Sequence, residues 1–434
     1  MLSPLRNSAY RLLFGAQVSA LLGTGLATVA LGLLAHELAG ANAGEVLGAI
    51  FAIKMITYVG VAPLASAAAA HAPRKALLIA LDVVRACVAG ALPFVSEPWH
   101  IYALMTVLYA ASAAFTPAFQ AMIPDILPDE AEYTKALSLS RLASDLESVA
   151  SPVIAALLLT VLNFHALFAG TALGFALSAA LVLAAILPAA RKASARPFLR
   201  RLTAGLNLFA HTPRLRALFA ASLATSAAGA MAFVNTVVLV QSNFHLTEQH
   251  TAFALAAFGL GSMMAALTLP PLLDRFADRS VIIAGGASSA IVLASGALWV
   301  SSYTALLVVW LVLGIGYSLT LTPVGRVLRR SAHADERPAL FAAQFALSHA
   351  CWLIAYPLAG FVSARFGVDA AFTTLAVLCF AGVALTAMLW PRQEPGAIAH
   401  THDELESCHP HLVASSARHE HEYIIDDLHP RWPR

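Results

Sequence analysis

From near its start to Trp390 the chain is a succession of long apolar runs separated by short polar connections. Of its 434 residues, 59% are hydrophobic and only 12% are charged. A soluble domain carries about 25% charged residues and has no interior large enough for this much apolar side chain. The excess must face hydrocarbon, where a helix satisfies its own backbone hydrogen bonds. A spanning helix takes about 20 apolar residues. Runs of that kind cover 10–38, 45–70, 76–95, 99–119, 137–162, 165–188, 217–241, 249–273, 280–300, 303–324, 339–363 and 369–391. They predict an all-α integral membrane protein with about twelve transmembrane helices. The alternating ten-residue segments of a β-barrel are absent. The first run, Leu12 to Ala35, is longer than the apolar core of about 7–15 residues in a cleaved signal.

Positive charge falls on alternate connections. One side carries Arg74 and Lys75, then Lys135, then Arg191, Lys192, Arg196, Arg200, Arg201, Arg214 and Arg216. The same side later carries Arg275 and Arg279, then Arg326, Arg329, Arg330 and Arg337, against Arg365 alone on the other. That bias predicts a multi-pass protein of a cell membrane, a bacterial inner membrane, with both termini cytoplasmic. A net charge of +2 offers nothing to nucleic acid.

The longest internal connection, 189–216, is basic and divides the runs into two sets of six. The expected organisation is an N-terminal six-helix half (1–190), a basic cytoplasmic linker (191–216), a C-terminal six-helix half (217–393) and a tail (394–434). The halves repeat: Thr116-Pro117 precedes Asp129-Glu130 as Thr322-Pro323 precedes Asp335-Glu336, at an offset of 206 residues, and Pro152 and Pro357 nearly match it. Duplicated six-helix units hold substrate near the midplane, between the repeats.

Two halves of six spans with a basic central loop resemble the major facilitator superfamily. Its Gly-x-x-x-Asp-Arg-x-Gly-Arg-Arg motif survives in part. Arg74 and Lys75 match the final basic pair of the first copy, where Ser66, Ala70 and His71 replace the glycine, aspartate and arginine. The second copy keeps Asp274, Arg275 and Arg279, with Pro270 in place of the glycine. The resemblance implies that these residues form a conformational latch. Ser151-Pro152-Val153-Ile154-Ala155-Ala156 looks like a small-residue version of the exporter motif of span five. The stretch Phe115-Thr116-Pro117-Ala118-Phe119-Gln120, with Ile123-Pro124-Asp125, the run Tyr133 to Leu142, and Lys54 to Val59, resembles the nickel-resistance exporters of the NreB type.

The tail adds to that resemblance. Seven of the sixteen histidines lie in it, and three pairs have the spacing His-x-His: His400/His402, His409/His411 and His419/His421. With His429 and Cys408 they form a set of imidazole and thiolate donors suited to nickel, cobalt, copper or zinc. The intervening acids predict a disordered, cytoplasmic metal collector.

Charges inside the spans are costly, about 2.5–3.5 kcal/mol at a helix centre, so each is a candidate for transport or coupling. Lys54 lies deep in span two and needs a cavity or an acid: Asp82, Asp145 or Glu147. Arg141 and Asp145, four apart in span five, are spaced to pair. Glu147 faces another way and is a candidate for proton or metal coupling. His349 in span eleven could relay protons or ligate metal. No Gly-x-x-x-x-Gly-Lys-Ser/Thr phosphate loop or catalytic constellation occurs, so neither an ATP-driven pump nor an enzyme is expected.

Together these readings give a monomeric secondary transporter with lipid, a small substrate and protons as partners. It has no resident cofactor and exports nickel, or cobalt, by proton antiport. Lys54 and the lack of metal ligands within the spans favour an alternative: proton-coupled efflux of an organic anion, siderophore or drug.

Overall fold

The computed structural model describes residues 2–39, 43–69, 72–188, 197–392, 398–401, 418–421, 423–425, 428, 429 and 432. The long helices follow the apolar runs. The first six are α1 (Ser8–Ala39), α2 (Ala43–Ala68), α3 (Arg74–Ala91), α4 (Pro98–Ile126), α5 (Glu130–Leu159) and α6 (His165–Ala184). A shorter helix, α7 (Phe198–His211), follows in the linker. The second set is α8 (Pro213–Val237), α9 (Glu248–Leu273), α10 (Asp278–Trp299), α11 (Tyr303–Leu321) with its short continuation α12 (Val324–Arg330), α13 (Arg337–Phe366) and α14 (Val368–Leu389). Among the described residues, eleven helices are long and apolar enough to cross a membrane. The twelfth long helix, α5, holds Arg141, Asp145 and Glu147 and is thirty residues long. The protein is an all-helical, multi-pass membrane protein.

The internal repeat is visible in the packing. In the first set α1 packs on α6 and α5, α3 on α6 and α4, and α2 on α4. The second set repeats each pairing: α8 on α14 and α13, α10 on α14 and α11, and α9 on α11. The sets meet where α2 packs on α13 and α5 on α9, contacts that exchange when the sets are swapped. The starts of α5 and α13 keep the offset to within one residue. Asp129 caps α5 by accepting the Glu132 amide at 2.9 Å, and Glu336 occupies the same position before α13. At the repeated Thr-Pro the sets diverge, since Pro117 lies inside α4 whereas Thr322-Pro323 separates α11 from α12.

Lipid tails give helices no hydrophobic reason to associate, so close packing has to supply it. The buried residues of α8 are mostly alanine, serine, threonine and glycine, which lets α13 and α14 approach closely. Around them lies an apolar cluster that includes Met231, Leu293, Trp310, Phe372 and Leu375. The Trp310 indole donates to Thr236 Oγ1 at 2.7 Å, so no polar atom of this ring is wasted. Large side chains such as Phe51, Leu173, Val377 and Met388 remain exposed on the outside, as lipid contact requires.

Within the basic linker, Phe198–His211 is an amphipathic helix that buries Gly205, Leu208 and Phe209 and packs on α2, α8 and α13. The described residues of the tail include two short strands, β1 (Ile398–Thr401) and β2 (Arg418–His421), paired antiparallel with His400 opposite His419. Beyond them Tyr423, Ile425 and Trp432 join an apolar cluster with α7, α8, α12 and α13. His402, Cys408, His409 and His411 lie outside the described residues, as do His71, Arg191, Lys192 and Arg196.

Removing the Trp310 ring should destabilise this core. Trp310→Ala is expected to cost about 3–5 kcal/mol, read as a lower unfolding temperature in detergent, with Trp310→Phe well above it. Equal unfolding temperatures for wild type and Trp310→Ala would contradict the packing account.

Candidate transport site

A cavity of about 370 Å³ lies between the two sets of helices. Helices α1, α4 and α5 line it from one side and α8, α11, α12 and α13 from the other. Its volume falls in the range of small-molecule sites, about 300–1,000 Å³. The polar wall is built from amides and hydroxyls, among them Gln17, Gln120, Gln344, Ser144, Thr225 and Ser348. Aromatic surface comes from Tyr317, Phe345 and Trp352. Among the lining residues Arg141 is the permanently charged one, and none is a carboxylate.

The wall is held by bonds that cross between helices. Ser140 Oγ on α5 donates to Gln17 Oε1 on α1 at 2.9 Å. The Gln344 amide on α13 lies 3.3 Å from Ser222 Oγ on α8. Arg141 and Asp145 form the pair that their spacing predicts, with Nε 3.0 Å from Asp145 Oδ2. The same Nε is 3.0 Å from Ser262 Oγ on α9, and the guanidinium stacks 5.0 Å from the Tyr317 ring of α11. This arginine therefore ties α5 to the second set. Its guanidinium lines the cavity, whereas the balancing carboxylate is buried behind it.

Next to the cavity is a second polar cluster. Lys54 Nζ on α2 lies 5.7 Å from the Tyr58 ring centroid and 5.9 Å from that of Tyr109 on α4. Of the three acids the sequence offered to Lys54, Asp82 pairs with Arg85 and accepts Ser178 Oγ at 2.7 Å. Asp145 is taken by Arg141. Glu147 is the one that interacts electrostatically with Lys54. Glycine at position 25 makes room for it: a Cβ there would lie 2.6 Å from Glu147 Oε1 and 2.0 Å from Ser151 Oγ.

His349 links the cluster to the cavity, which it lines. Its ring sits 4.8 Å from Tyr58 and 4.1 Å from Phe345. Nδ1 is 2.7 Å from the Phe345 carbonyl, which can only accept, so Nδ1 carries a proton and Nε2 is left for other partners. Tyr58, which the sequence reading passed over, thus touches Lys54, Tyr109, Phe345 and His349. A tyrosine four residues after a buried lysine is one helical turn away, and that spacing was the available signal.

At the end of the bundle that carries the basic connections, the two sets are joined by charge. Asp125, at the end of α4, binds Arg74 at 2.7 Å and Arg337 of α13 at 2.9 Å. Arg326 of α12 reaches Glu130 at 2.5 Å, Thr134 Oγ1 at 2.8 Å and Asp278 at 3.1 Å. Arg330 also pairs with Asp278, and Arg329 donates to the Pro128 carbonyl. Tyr133 Oη donates to the Gly325 carbonyl at 3.3 Å, and a Cβ on Gly325 would lie 2.7 Å from Leu137.

Of the motif residues that the sequence singled out, Arg74 joins this network. Asp274 and Arg275 are exposed, whereas Asp278, four residues on, is buried and takes two arginines. Arg279 instead donates to the Trp390 and Ala387 carbonyls at the end of α14, each at 3.2 Å. Lys75 donates to the Ala185 carbonyl after α6 at 2.9 Å. Arg74 opens α3 and Asp278 opens α10, so the first residues of these two helices carry opposite charges. No group of three or more His, Cys, Asp or Glu side chains able to hold a metal occurs among the described residues. Of the tail ligands, His400, His419 and His421 belong to the two strands, and His429 is buried, with its ring 4.7 Å from Tyr423.

Comparison with known proteins agrees with this architecture. A family model described as the Major Facilitator Superfamily matches residues 13–242 and 218–418. An uncharacterized MFS-type transporter of Bacillus subtilis (strain 168), YfiS, is 28% identical over 105 residues, which are 24% of this chain and 25% of that protein. The chain therefore spans about a quarter of the length of that curated relative. A crystal structure of the human organic anion transporter MFSD10 (TETRAN) superposes with a TM-score of 0.75 at 14% identity, covering 87% of this chain and 99% of that one. At that identity the likeness is one of fold.

Breaking the Arg141–Asp145 pair leaves a charge without its partner. Arg141→Gln is expected to cost about 3–5 kcal/mol, and adding Asp145→Asn should restore most of it. Thermal unfolding of both variants in detergent measures this, and additive losses would argue against the pair as the strut between the sets.

Proposed function

The chain belongs to the major facilitator superfamily, and we propose that it is a proton-coupled secondary transporter of small organic anions. One observation carries this reading: the wall of the central cavity presents a guanidinium, an imidazole and many neutral hydrogen-bonding groups, and no carboxylate. A bare divalent cation would find one imidazole and a set of hydroxyls there, a poor donor set for nickel. An organic anion would find Arg141 for its charge, aromatic rings for its body and amides for its remaining polar atoms.

In this reading residues 1–190 and 217–393 are the two moving halves, the basic end faces the cytoplasm, and Lys54, Glu147 and His349 couple protons to cargo. Glu147 balances Lys54. Protonating Glu147 removes that balance and leaves a cation one residue behind the cavity wall, which favours an arriving anion. Proton and anion then bind together, so co-transport replaces the antiport expected from the sequence. The human organic anion transporter shares the fold and supports the cargo class only to that extent.

Nickel export stands as a second reading because of the His-x-His pairs in the tail sequence. The test separates the readings. Reconstituted vesicles are given an inward proton gradient and offered either a fluorescent aromatic carboxylate or nickel. Carboxylate accumulation that Lys54→Met abolishes, and that no longer follows the gradient in Glu147→Gln, is the expected result. Nickel movement without carboxylate movement would reverse the order of the two readings.

A further inference from the structure

After a polar run, Tyr423-Ile424-Ile425 and Trp432 return to large apolar side chains. Such residues at the end of a polar tail need a surface to cover. Tyr423 and Ile425 are buried, and with Trp432 they join a cluster that includes Leu208 and Phe209 of α7, Leu215 of α8 and Leu328 of α12. The Tyr423 and Trp432 rings are 5.4 Å apart. Trp432 also stacks 5.5 Å from the Arg214 guanidinium. Arg214 in turn holds the end of α12 by donating to Ser331 Oγ at 2.8 Å and to the Arg330 carbonyl at 2.7 Å.

This docking site adjoins the seam between the two sets. Ile424 lines a second cavity, of about 640 Å³, together with Asp125 and Glu130 from one set and Arg329, Arg330 and Arg337 from the other. These residues belong to the charge network that joins the sets at the basic end. Helix α7, against which the tail packs, itself touches α2 in the first set and α8 and α13 in the second. Opening this end requires α12 and the start of α13 to move away from α4 and α5. A segment anchored on α7 and α12 and bordering the seam resists that movement.

We propose that Tyr423, Ile424, Ile425 and Trp432 form an intramolecular clasp that stabilises closure of the basic end, so that its release favours opening there. The clasp needs only the two-set fold and its seam, not a particular cargo. It adds a regulatory element outside the substrate path: whatever competes for the Tyr423 and Trp432 surface would speed access from that end.

The test places spin labels at Ala131→Cys and Asp335→Cys, exposed positions on opposite sides of the seam, in full-length protein with its native cysteines replaced. Pulsed dipolar spectroscopy reads the distance distribution with no substrate present, so the outcome is independent of the cargo. Two variants are compared with this parent: Tyr423→Ala with Trp432→Ala, and deletion of residues 418–434. The ratio of long to short separations is expected to rise about tenfold in both. Asp125→Asn, which breaks the seam directly, calibrates the long separation. An unchanged ratio in either tail variant would overturn the clasp.

Discussion

Hydrocarbon cannot solvate charge, and this constraint organises the molecule. Any ionised side chain placed within the bundle must find its partner there, and the partner fixes which helices come together. Arg141 is the clearest case. By binding Asp145 on its own helix and Ser262 on α9, it makes one costly group into a strut between the two sets of helices. Asp82 and Arg85 do the same within the first set, where the Arg85 guanidinium lies between the Phe115 and Phe175 rings. Lys54 is placed between two tyrosine rings and within the field of Glu147. The central cavity is what remains between these fixed points. Its chemistry follows from which member of each pair faces inward: the guanidinium of Arg141, and not the Asp145 carboxylate.

Where the helices leave hydrocarbon, the same logic gives a reversible contact. Asp125 and Glu130 on one side of the seam face Arg326 and Arg337 on the other. Ion pairs near water are individually weak, so the sets can separate and rejoin without a large penalty. Arg74 and Asp278, which open α3 and α10, carry opposite charges and each pairs within its own set, so the contact across the seam is left to Asp125 with Arg337 and Glu130 with Arg326. Rocking of one set against the other is the motion that a duplicated architecture of this kind allows.

The helical fold was legible because each apolar run is long enough to span and because spacing within a helix is rigid. The Arg141–Asp145 pair followed from a separation of four, and the repeat from an offset of 206 residues. What the sequence could not show were the partners set by three-dimensional packing. Three acids were open to Lys54 until Arg85 and Arg141 claimed two of them. The motif drew attention to Asp274, and nothing in the spacing marked Asp278, the acid that opens α10 and turns inward. Asp125, Arg326 and Arg337 lie at helix ends, where charge reads as loop. The linker helix escaped notice because its apolar face is short, and the tail because a few aromatic residues after a long polar run give no period. The histidines drew attention to metal, whereas the wall of the cavity between the helices presents one guanidinium and no carboxylate.

The central claim is that this cavity recognises negative charge. Calorimetric titration of the purified protein with an aromatic carboxylate and with its methyl ester tests it most directly, since the two ligands differ chiefly in that charge. The account predicts that the carboxylate binds at least about tenfold more tightly and that the Arg141→Gln/Asp145→Asn protein loses this difference. Equal affinity for acid and ester, or an ester preference, would contradict it.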